Sequence, residues 1–256
     1  MLNNQTLEKM TSMKLSSMGK EYQRQMESPD TAALSFEERF GMLVDAEWTS
    51  RQNSRLNRLL RHALLRIQEA CLEDLDYDPQ RKLDRAYVAR LANCMWVKEH
   101  HNLIITGATG TGKTFLACAF GNAACRQGVK TKYYRVNRLL TDLAVSRGDG
   151  SYNRLMRELK NTDLLILDDW GMATFDPVSG RDLLEVVEDR FGYRSTVISG
   201  QLPVKEWYDL FDDSTIADAV LDRLVHNAYR VELHGPSKRR SDTKNQNGDN
   251  LVAISD

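Results

Sequence analysis

Residues 102–114 read NLIITGATGTGKT, and this stretch decides the fold class of the chain. Its apolar run ends in a turn that matches the phosphate-binding loop pattern G-x-x-x-x-G-K-[ST] from Gly107 to Thr114. The next residues, FLACAFGNAACRQG, have helical spacing, so the loop opens onto a helix N-terminus whose partial positive charge favours phosphate. The order strand, loop, helix predicts an α/β nucleotide-binding domain. A surface turn that matches the pattern by chance is the alternative interpretation.

The loop pattern gives each of its last residues a role. Lys113 is expected to reach the β- and γ-phosphates of a nucleotide, and the Thr114 hydroxyl is expected to bind Mg²⁺. Glycines in the loop let backbone N–H groups approach the phosphates, because no Cβ stands in the way. The residues predicted to contact the nucleotide are Gly107, Ala108, Thr109, Gly110, Thr111, Gly112, Lys113, Thr114 and Phe115.

A second informative stretch, residues 163–170, reads DLLILDDW. Four apolar residues followed by two carboxylates predict a buried parallel strand with acids at its C-terminal end, where open α/β sheets place their chemistry. Asp168 is expected to hold Mg²⁺ together with Thr114. Asp169 is expected to orient and deprotonate the water that attacks the γ-phosphate. Together with the phosphate loop, this strand predicts a nucleotide hydrolysis site.

Two further side chains are candidates for completing that site. The β-rich stretch STVIS ends at Ser199 and is followed by Gln201, and a polar side chain there can bond the γ-phosphate or the attacking water. Gln201 is the first choice and Ser199 the second, while an ordinary loop start is the alternative. Arg223 lies in the helical stretch ADAVLDRLVHNAYR and is a candidate arginine finger for the nucleotide of a neighbouring subunit. A salt bridge on the helix surface is the alternative role for Arg223.

The first part of the chain has a different pattern. Residues 1–78 contain few glycines and show apolar residues at helical spacing, which predicts an all-helical N-terminal module. Ser35 and Glu38 form a capping-box pattern at the start of one of these helices. The predicted divisions are residues 1–78 for this module, residues 79–240 for the nucleotide-binding domain and residues 241–256 for a flexible tail.

The stretch RQNSRLNRLLRHALLRI, residues 51–67, contains no acidic residue. Read as one helix, it places cationic side chains on one face and apolar side chains on the other. Such a cationic stripe suits the phosphates of a nucleic-acid backbone. The residues predicted to contact DNA are Arg51, Arg55, Arg58, Arg61 and Arg66. A solvated face, or ion pairs with acids around residues 69–78, is the alternative.

The composition of the chain restricts its possible functions but does not identify one. The chain has 256 residues and a formal net charge of −1, so binding to a polyanion requires a local patch. The four cysteines show no C-x-x-C spacing, which predicts reduced thiols and no zinc site. We expect no membrane association, because no apolar run reaches the roughly 20 residues of a membrane span. The absence of a signal-peptide pattern at residues 1–20 then predicts a cytoplasmic protein.

Taken together, the stretches GATGTGKT, LLILDDWG, SGQLPVKEW, ADAVLDRLVHNAYRVEL and GPSKRR resemble the IstB-type ATPases, helper proteins of a large bacterial insertion-sequence family. The similarity runs from roughly Arg58 to Arg240. It implies a P-loop AAA+ fold of the initiator clade, with a parallel sheet between helices, similar to bacterial helicase loaders. The family usually has proline at the position of Ala108 and serine at that of Gly200. At Ser237-Lys238-Arg239 the usual middle residue is hydrophobic, which leaves open whether Arg239 acts as a second sensor.

The resemblance also implies a function. It implies an ATPase that uses ATP and Mg²⁺, binds double-stranded DNA as a homo-oligomer, and works with a cognate transposase. Carried onto this chain, it assigns Asp168 and Asp169 as the metal and catalytic acids, Gln201 as the sensor and Arg223 as the finger. Two roles stay open for the basic residues Lys238, Arg239 and Arg240. One is contact with phosphate or nucleic acid, and the other is only to solubilise the tail. Two other functions stay open, a helicase loader and an ATP-gated scaffold with little turnover.

Overall fold

The computed structural model describes residues 2–237, apart from the side chains of Leu2 and Ala32. Lys238, Arg239, Arg240 and the predicted tail therefore lie outside the described residues. The chain divides into two compact units, Met1–Arg58 and Leu59–Asp256. This division falls twenty residues before the boundary that the sequence places at Pro79, because Leu59 to Asp78 pack with the second unit.

The first unit is helical. It contains α1 (Leu2–Ser12), α2 (Ser16–Glu27) and most of α3 (Phe36–Ala63). The predicted capping box starts α3, because the Glu38 N–H donates to Ser35 Oγ at 3.2 Å and the Ser35 N–H donates to Glu38 Oε2 at 2.8 Å.

The position where α3 ends corrects the sequence interpretation. The helix stops at Ala63, and Leu64 takes a left-handed backbone with φ of 51°. Leu64 is therefore exposed, where an apolar helix face was expected. Arg66 lies outside the helix and is not part of the predicted cationic stripe. No glycine or proline marks this helix end in the sequence.

The second unit is built on the predicted parallel sheet. Its strands are β1 (Asn102–Gly107), β2 (Thr131–Arg135), β3 (Leu164–Trp170), β4 (Ser195–Gly200) and β5 (Ala228–Leu233). They lie in the order β2-β3-β4-β1-β5, and every neighbouring pair is parallel. Because β4 separates β1 from β3, the segment after β4 leaves the sheet between the phosphate loop and the two acids.

Helices connect and flank these strands. They are α4 (Arg85–Ala92), α5 (Met95–Lys98), α6 (Lys113–Arg126), α7 (Val136–Asp149), α8 (Tyr152–Lys160), α9 (Pro177–Arg190) and α10 (Ser214–Val225). The three central strands, β1, β3 and β4, are nearly fully buried, as expected for a sheet covered on both faces. The edge strands β2 and β5 are partly exposed. Among residues 2–237, no helix combines the length and the apolar character that crossing a bilayer requires.

Candidate nucleotide-binding site

The phosphate loop joins β1 to α6. Gly112 is the N-cap of α6 and has a φ of 96°, a conformation that side chains with a Cβ rarely adopt. A Cβ on Gly107 would lie 2.3 Å from the carbonyl oxygen of Leu233, so the end of β5 packs directly against the loop. The Lys113 ammonium group donates to the Ala108 carbonyl at 2.8 Å and so lies back over the loop.

Asp168 connects three elements of the sheet edge. Its buried carboxylate accepts a hydrogen bond from the Thr114 hydroxyl at 2.8 Å and from the Tyr133 hydroxyl at 2.7 Å. The Ser199 hydroxyl donates to the other carboxylate oxygen. Burial, and then the hydrogen bond to Asp168, raise the pKa of Tyr133, so its hydroxyl stays protonated and remains a donor. Hydroxyls from α6, β2 and β4 thus hold the Asp168 side chain in place.

The pair formed by Thr114 and Asp168 fits the predicted metal. A threonine hydroxyl and a carboxylate are hard oxygen ligands of the kind that Mg²⁺ prefers. Their direct contact places both oxygens next to the phosphate loop. Within residues 2–237, no group of three or more His, Cys, Asp and Glu side chains could hold a metal ion. A magnesium ion held here therefore depends on nucleotide phosphates or water for its other ligands.

Asp169 lies between two arginines. Its carboxylate is 3.6 Å from Nη1 of Arg66 and 3.4 Å from Nε of Arg135. The backbone of Asp169 has a φ of 61°, an uncommon value outside glycine that turns the chain at the end of β3. Arg135 ends β2, and Arg66 comes from the connector after α3. The sequence interpretation did not assign either arginine to this site.

The two candidate sensors have different surroundings. Gln201 Oε1 accepts a hydrogen bond from the Thr109 hydroxyl at 2.7 Å, which places Gln201 against the phosphate loop. Ser199 is fully buried and its hydroxyl is bonded to Asp168. Gln201 can therefore meet a bound phosphate more directly, whereas Ser199 orients the acid.

These residues line a cavity of about 680 Å³, a size typical of small-molecule sites. The polar part of its lining includes the phosphate loop, Asp168, Asp169 and Gln201. Its apolar part comes from Ile67, Leu75, Leu83, Phe115 and Leu233. The combination suits a ligand with a charged phosphate end and a flat apolar end, as in a nucleotide.

Most of the chain matches the model of a known protein family. Residues 8–246 match the family model described as IstB-like ATP binding protein. This chain belongs to the IstB-like ATP binding protein family. It is 46% identical over 241 residues to an insertion-sequence ATP-binding protein of Sinorhizobium fredii. This alignment covers 94% of this chain and 98% of the relative.

Solved structures show the fold of this IstB-like protein. The crystal structure of the DnaC helicase loader has a TM-score of 0.53 and 19% identity, and the match covers 64% of this chain and 96% of that one. AMPPCP-bound DnaA from Aquifex aeolicus has a TM-score of 0.55 and 18% identity, and that match covers 75% of this chain and 58% of the DnaA chain. The predicted P-loop AAA+ fold is therefore confirmed.

The IstB-like chain also has a buried arginine that supports the phosphate loop. Arg81 Nη1 donates to the Thr111 carbonyl at 3.2 Å, and Arg81 Nε lies 3.1 Å from an Asp76 carboxylate oxygen. The backbone carbonyl of Arg81 accepts from the His234 N–H at 3.3 Å. Arg81 thus ties the loop to the segment before α4 and to the chain after β5. Sequence reasoning missed this role, because Arg81 stands in a short polar stretch after Pro79.

The remaining predicted residues are not part of this cavity. Arg223 donates to Glu188 and to the Ala219 carbonyl, both at 2.8 Å, so its ion pair is with α9 and not with Asp218 or Asp222. Arg51 is paired with Glu47 at 2.8 Å. Arg55, Arg58 and Arg61 are exposed.

Proposed function

We propose that this protein is a Mg²⁺-dependent ATPase that binds double-stranded DNA and assists the transposase of its insertion sequence. The observation that carries the proposal is the 2.8 Å hydrogen bond from Thr114 to Asp168. It brings the last residue of the phosphate loop and the first of the two acids near the end of β3 into one site, with Asp169 next in the chain. ATP is the expected nucleotide, because the family is described as ATP binding.

The site residues divide the work of hydrolysis among them. Backbone N–H groups of the phosphate loop and Lys113 would bind the phosphates, and Thr114 with Asp168 would hold Mg²⁺. When bound, this ion supplies positive charge to the phosphate oxygens. Asp169 would accept a proton from the attacking water, and Gln201 would hold that water or the γ-phosphate by a hydrogen bond.

The ion pairs that Asp169 forms with Arg66 and Arg135 affect the rate of hydrolysis. Both guanidinium groups contact the same carboxylate oxygen of Asp169, and these ion pairs hold the side chain in one orientation. The carboxylate must leave that orientation to hydrogen-bond the attacking water. Hydrolysis is therefore slow until the contacts with Arg66 and Arg135 change. This observation also favours a second candidate function, an ATP-gated scaffold in which turnover serves only to release the assembly.

Partners are proposed on separate grounds. Duplex DNA would contact the exposed arginines Arg55, Arg58 and Arg61, with largely sequence-tolerant contacts to the backbone. The transposase is proposed because a relative covering 94% of this chain is an insertion-sequence ATP-binding protein. ATP binding would favour a homo-oligomer in which Arg223 approaches the nucleotide of a neighbouring subunit. Such a protein acts on DNA in the cytoplasm.

Steady-state phosphate release, measured with and without duplex DNA, tests the proposed activity. We expect Mg²⁺-dependent turnover that DNA increases, and Asp169→Asn should lower it by about 10²-fold to 10⁴-fold while ATP still binds. Turnover that is absent under both conditions, with ATP binding intact, would favour the scaffold. Pull-down of the transposase and of the replicative helicase with this chain then separates transposition from helicase loading.

A further inference from the structure

The segment that follows β4 carries Gln201 and has little regular structure. After β4 ends at Gly200, the chain forms two short 3₁₀ turns, Val204–Glu206 and Tyr208–Leu210. Gln201 lies before the first of these turns. A side chain that acts on a bound phosphate has to be held within about 0.5 Å of its productive position, and an irregular segment needs support from packed neighbours to achieve this. We call residues 201–207 the sensor segment.

The indole of Trp207 closes the sensor segment on itself. Its Nε1–H donates a hydrogen bond to the carbonyl oxygen of Leu202 at 3.0 Å. Leu202 is the residue directly after Gln201. Because Trp207 is fully buried, its N–H group would be costly to leave without a partner. The bond therefore holds the backbone next to Gln201 in one place.

The Trp207 ring also joins the sensor segment to the strand that carries the two acids. The rings of Trp207 and Trp170 have centroids 5.3 Å apart. Trp170 is fully buried and follows Asp169 directly in β3. The side chain of Leu202 packs beside it, because a Cβ on Gly171 would lie 3.1 Å from Leu202 Cδ1. A shift of the Trp207 ring would therefore move the sensor segment relative to the acids.

The side-chain amide of Gln201 has a partner at each end in this arrangement. Its Oε1 accepts from the Thr109 hydroxyl at 2.7 Å, and its Nε2 donates to the Met172 sulfur at 3.2 Å. Met172 belongs to the turn that starts at Asp169, since the Met172 N–H donates to the Asp169 carbonyl at 3.4 Å. The amide thus spans from the phosphate loop to the acid-bearing strand. A displacement of about 1 Å along either bond would take donor and acceptor beyond hydrogen-bonding distance.

We propose that Trp207 is a positioning residue for Gln201. It holds the Gln201 amide at the distance from the phosphate loop at which the amide meets the γ-phosphate or the attacking water. The inference rests on the proposed function, in which Gln201 has that role. Trp207 does not line the nucleotide cavity, so it acts through the Leu202 carbonyl and through its packing on Trp170.

Trp96 provides a matched control within the same unit. It is 2% exposed, and its Nε1–H donates to the carbonyl of Leu91, five residues earlier, at 3.0 Å. The hydrogen bond from Trp207 to Leu202 has the same spacing and the same length. Neither Trp96 nor Leu91 lines the nucleotide cavity. Removing the two N–H groups in turn therefore separates a general loss of stability from an effect on Gln201.

NMR of the full chain without nucleotide tests the positioning in the absence of any reaction. The side-chain amide signal of Gln201, assigned by its loss in Gln201→Ala, should shift in Trp207→Phe and stay in place in Trp96→Phe. Benzothienylalanine at position 207 keeps the shape of the indole and lacks its N–H. It should produce the shift even if Trp207→Phe fails to fold. An unmoved Gln201 signal in a folded chain without the N–H at position 207 overturns the proposal.

Steady-state phosphate release then tests whether this position matters for hydrolysis. Trp207→Phe should lower kcat by about tenfold to 10²-fold, the cost of a small misplacement in an active site, whereas Trp96→Phe should leave kcat nearly unaltered. In a Gln201→Ala background, Trp207→Phe should have no further effect, because nothing remains for it to position.

The outcomes separate this inference from the proposed function. A full additional loss in the double variant would make Trp207 a general support of the fold and overturn the proposal. An unchanged kcat in Trp207→Phe, with a lowered kcat in Gln201→Ala, would refute the role of Trp207 alone. An unchanged kcat in Gln201→Ala would refute the sensor role of Gln201, and the proposal would fail with it. If the unaltered chain shows no turnover, the NMR result decides.

Discussion

The carboxylate of Asp169 lies 3.6 Å from the guanidinium group of Arg66. Arg66 follows the end of α3 by three residues, so the residue proposed as the catalytic base is paired with the connector that leaves this helix. The second pairing, with Arg135 at 3.4 Å, comes from the end of β2. Both contacts reach the same carboxylate oxygen, Oδ2, and hold the Asp169 side chain in one orientation.

Arg66→Ala should therefore raise hydrolysis in the absence of DNA, by roughly threefold to tenfold, because the Asp169 carboxylate is then freer to turn toward the attacking water. Steady-state phosphate release measures the change. Arg138→Ala removes an exposed arginine paired with Asp142 at 3.1 Å and should leave the rate unaltered. A rate that falls or stays constant in Arg66→Ala would show that the ion pair does not restrain Asp169.

Tyr133→Phe should raise the Mg²⁺ concentration needed for half-maximal hydrolysis by about tenfold, because Asp168 loses a donor that orients it. Tyr134→Phe is the control on the same strand. Burial raises the pKa of Tyr134 to about 12, but its hydroxyl is not among the three that donate to Asp168. Since the pKa of Tyr133 is raised above its ordinary value of 10, the difference between the variants should persist from neutral to mildly alkaline pH. Equal Mg²⁺ titrations for the two variants would remove Tyr133 from the site.

Arg223→Ala should leave ATP binding nearly normal and reduce DNA-stimulated hydrolysis by about 10³-fold, as expected for an arginine finger. Glu188→Gln provides the comparison, because it breaks the 2.8 Å ion pair and keeps the arginine. Stimulation should survive in Glu188→Gln. If Arg223→Ala hydrolyses ATP as the unaltered chain does, its role is limited to the contact between α9 and α10.

Arg55→Glu combined with Arg58→Glu should weaken DNA binding and flatten its dependence on salt. Each lost phosphate contact lowers the slope of log K against log salt by about 0.9, so the double variant should lose roughly 2 units of slope. Fluorescence anisotropy with a labelled duplex measures the slope. Lys9→Glu with Lys20→Glu makes the same charge change on α1 and α2, where both lysines are exposed, and should alter the slope less. Equal slopes for the two double variants would mean that α3 is not the DNA contact.

The sequence predicted the parts of this molecule that depend on local pattern. The phosphate loop, the acid-bearing strand and the capping box at Ser35 each rest on residues close together in the chain, and the structure has all three. The parallel sheet followed from apolar runs that alternate with helices. The strand order could not be predicted in this way, because the residue pattern of one strand does not show which distant strand pairs with it.

The errors have physical causes that spacing does not reveal. Arginines continue at steps of three and four through Arg66, but the left-handed turn at Leu64 ends the helix first. Tyr133 reads as an ordinary strand residue, and only the neighbouring strand gives its hydroxyl a partner in Asp168. Likewise, the four-residue steps from Phe36 through Phe40 and Val44 to Trp48 predict a helix correctly, yet they cannot show that these side chains are exposed.

Isothermal titration calorimetry with ATP and Mg²⁺ tests the central claim most directly, since every proposed role depends on a nucleotide held between the phosphate loop and Asp168. We predict saturable binding of one ATP per chain, and its loss in Lys113→Ala, whose circular dichroism spectrum should be unchanged. Well-folded protein that gives no binding heat with ATP or any other purine triphosphate would contradict the account.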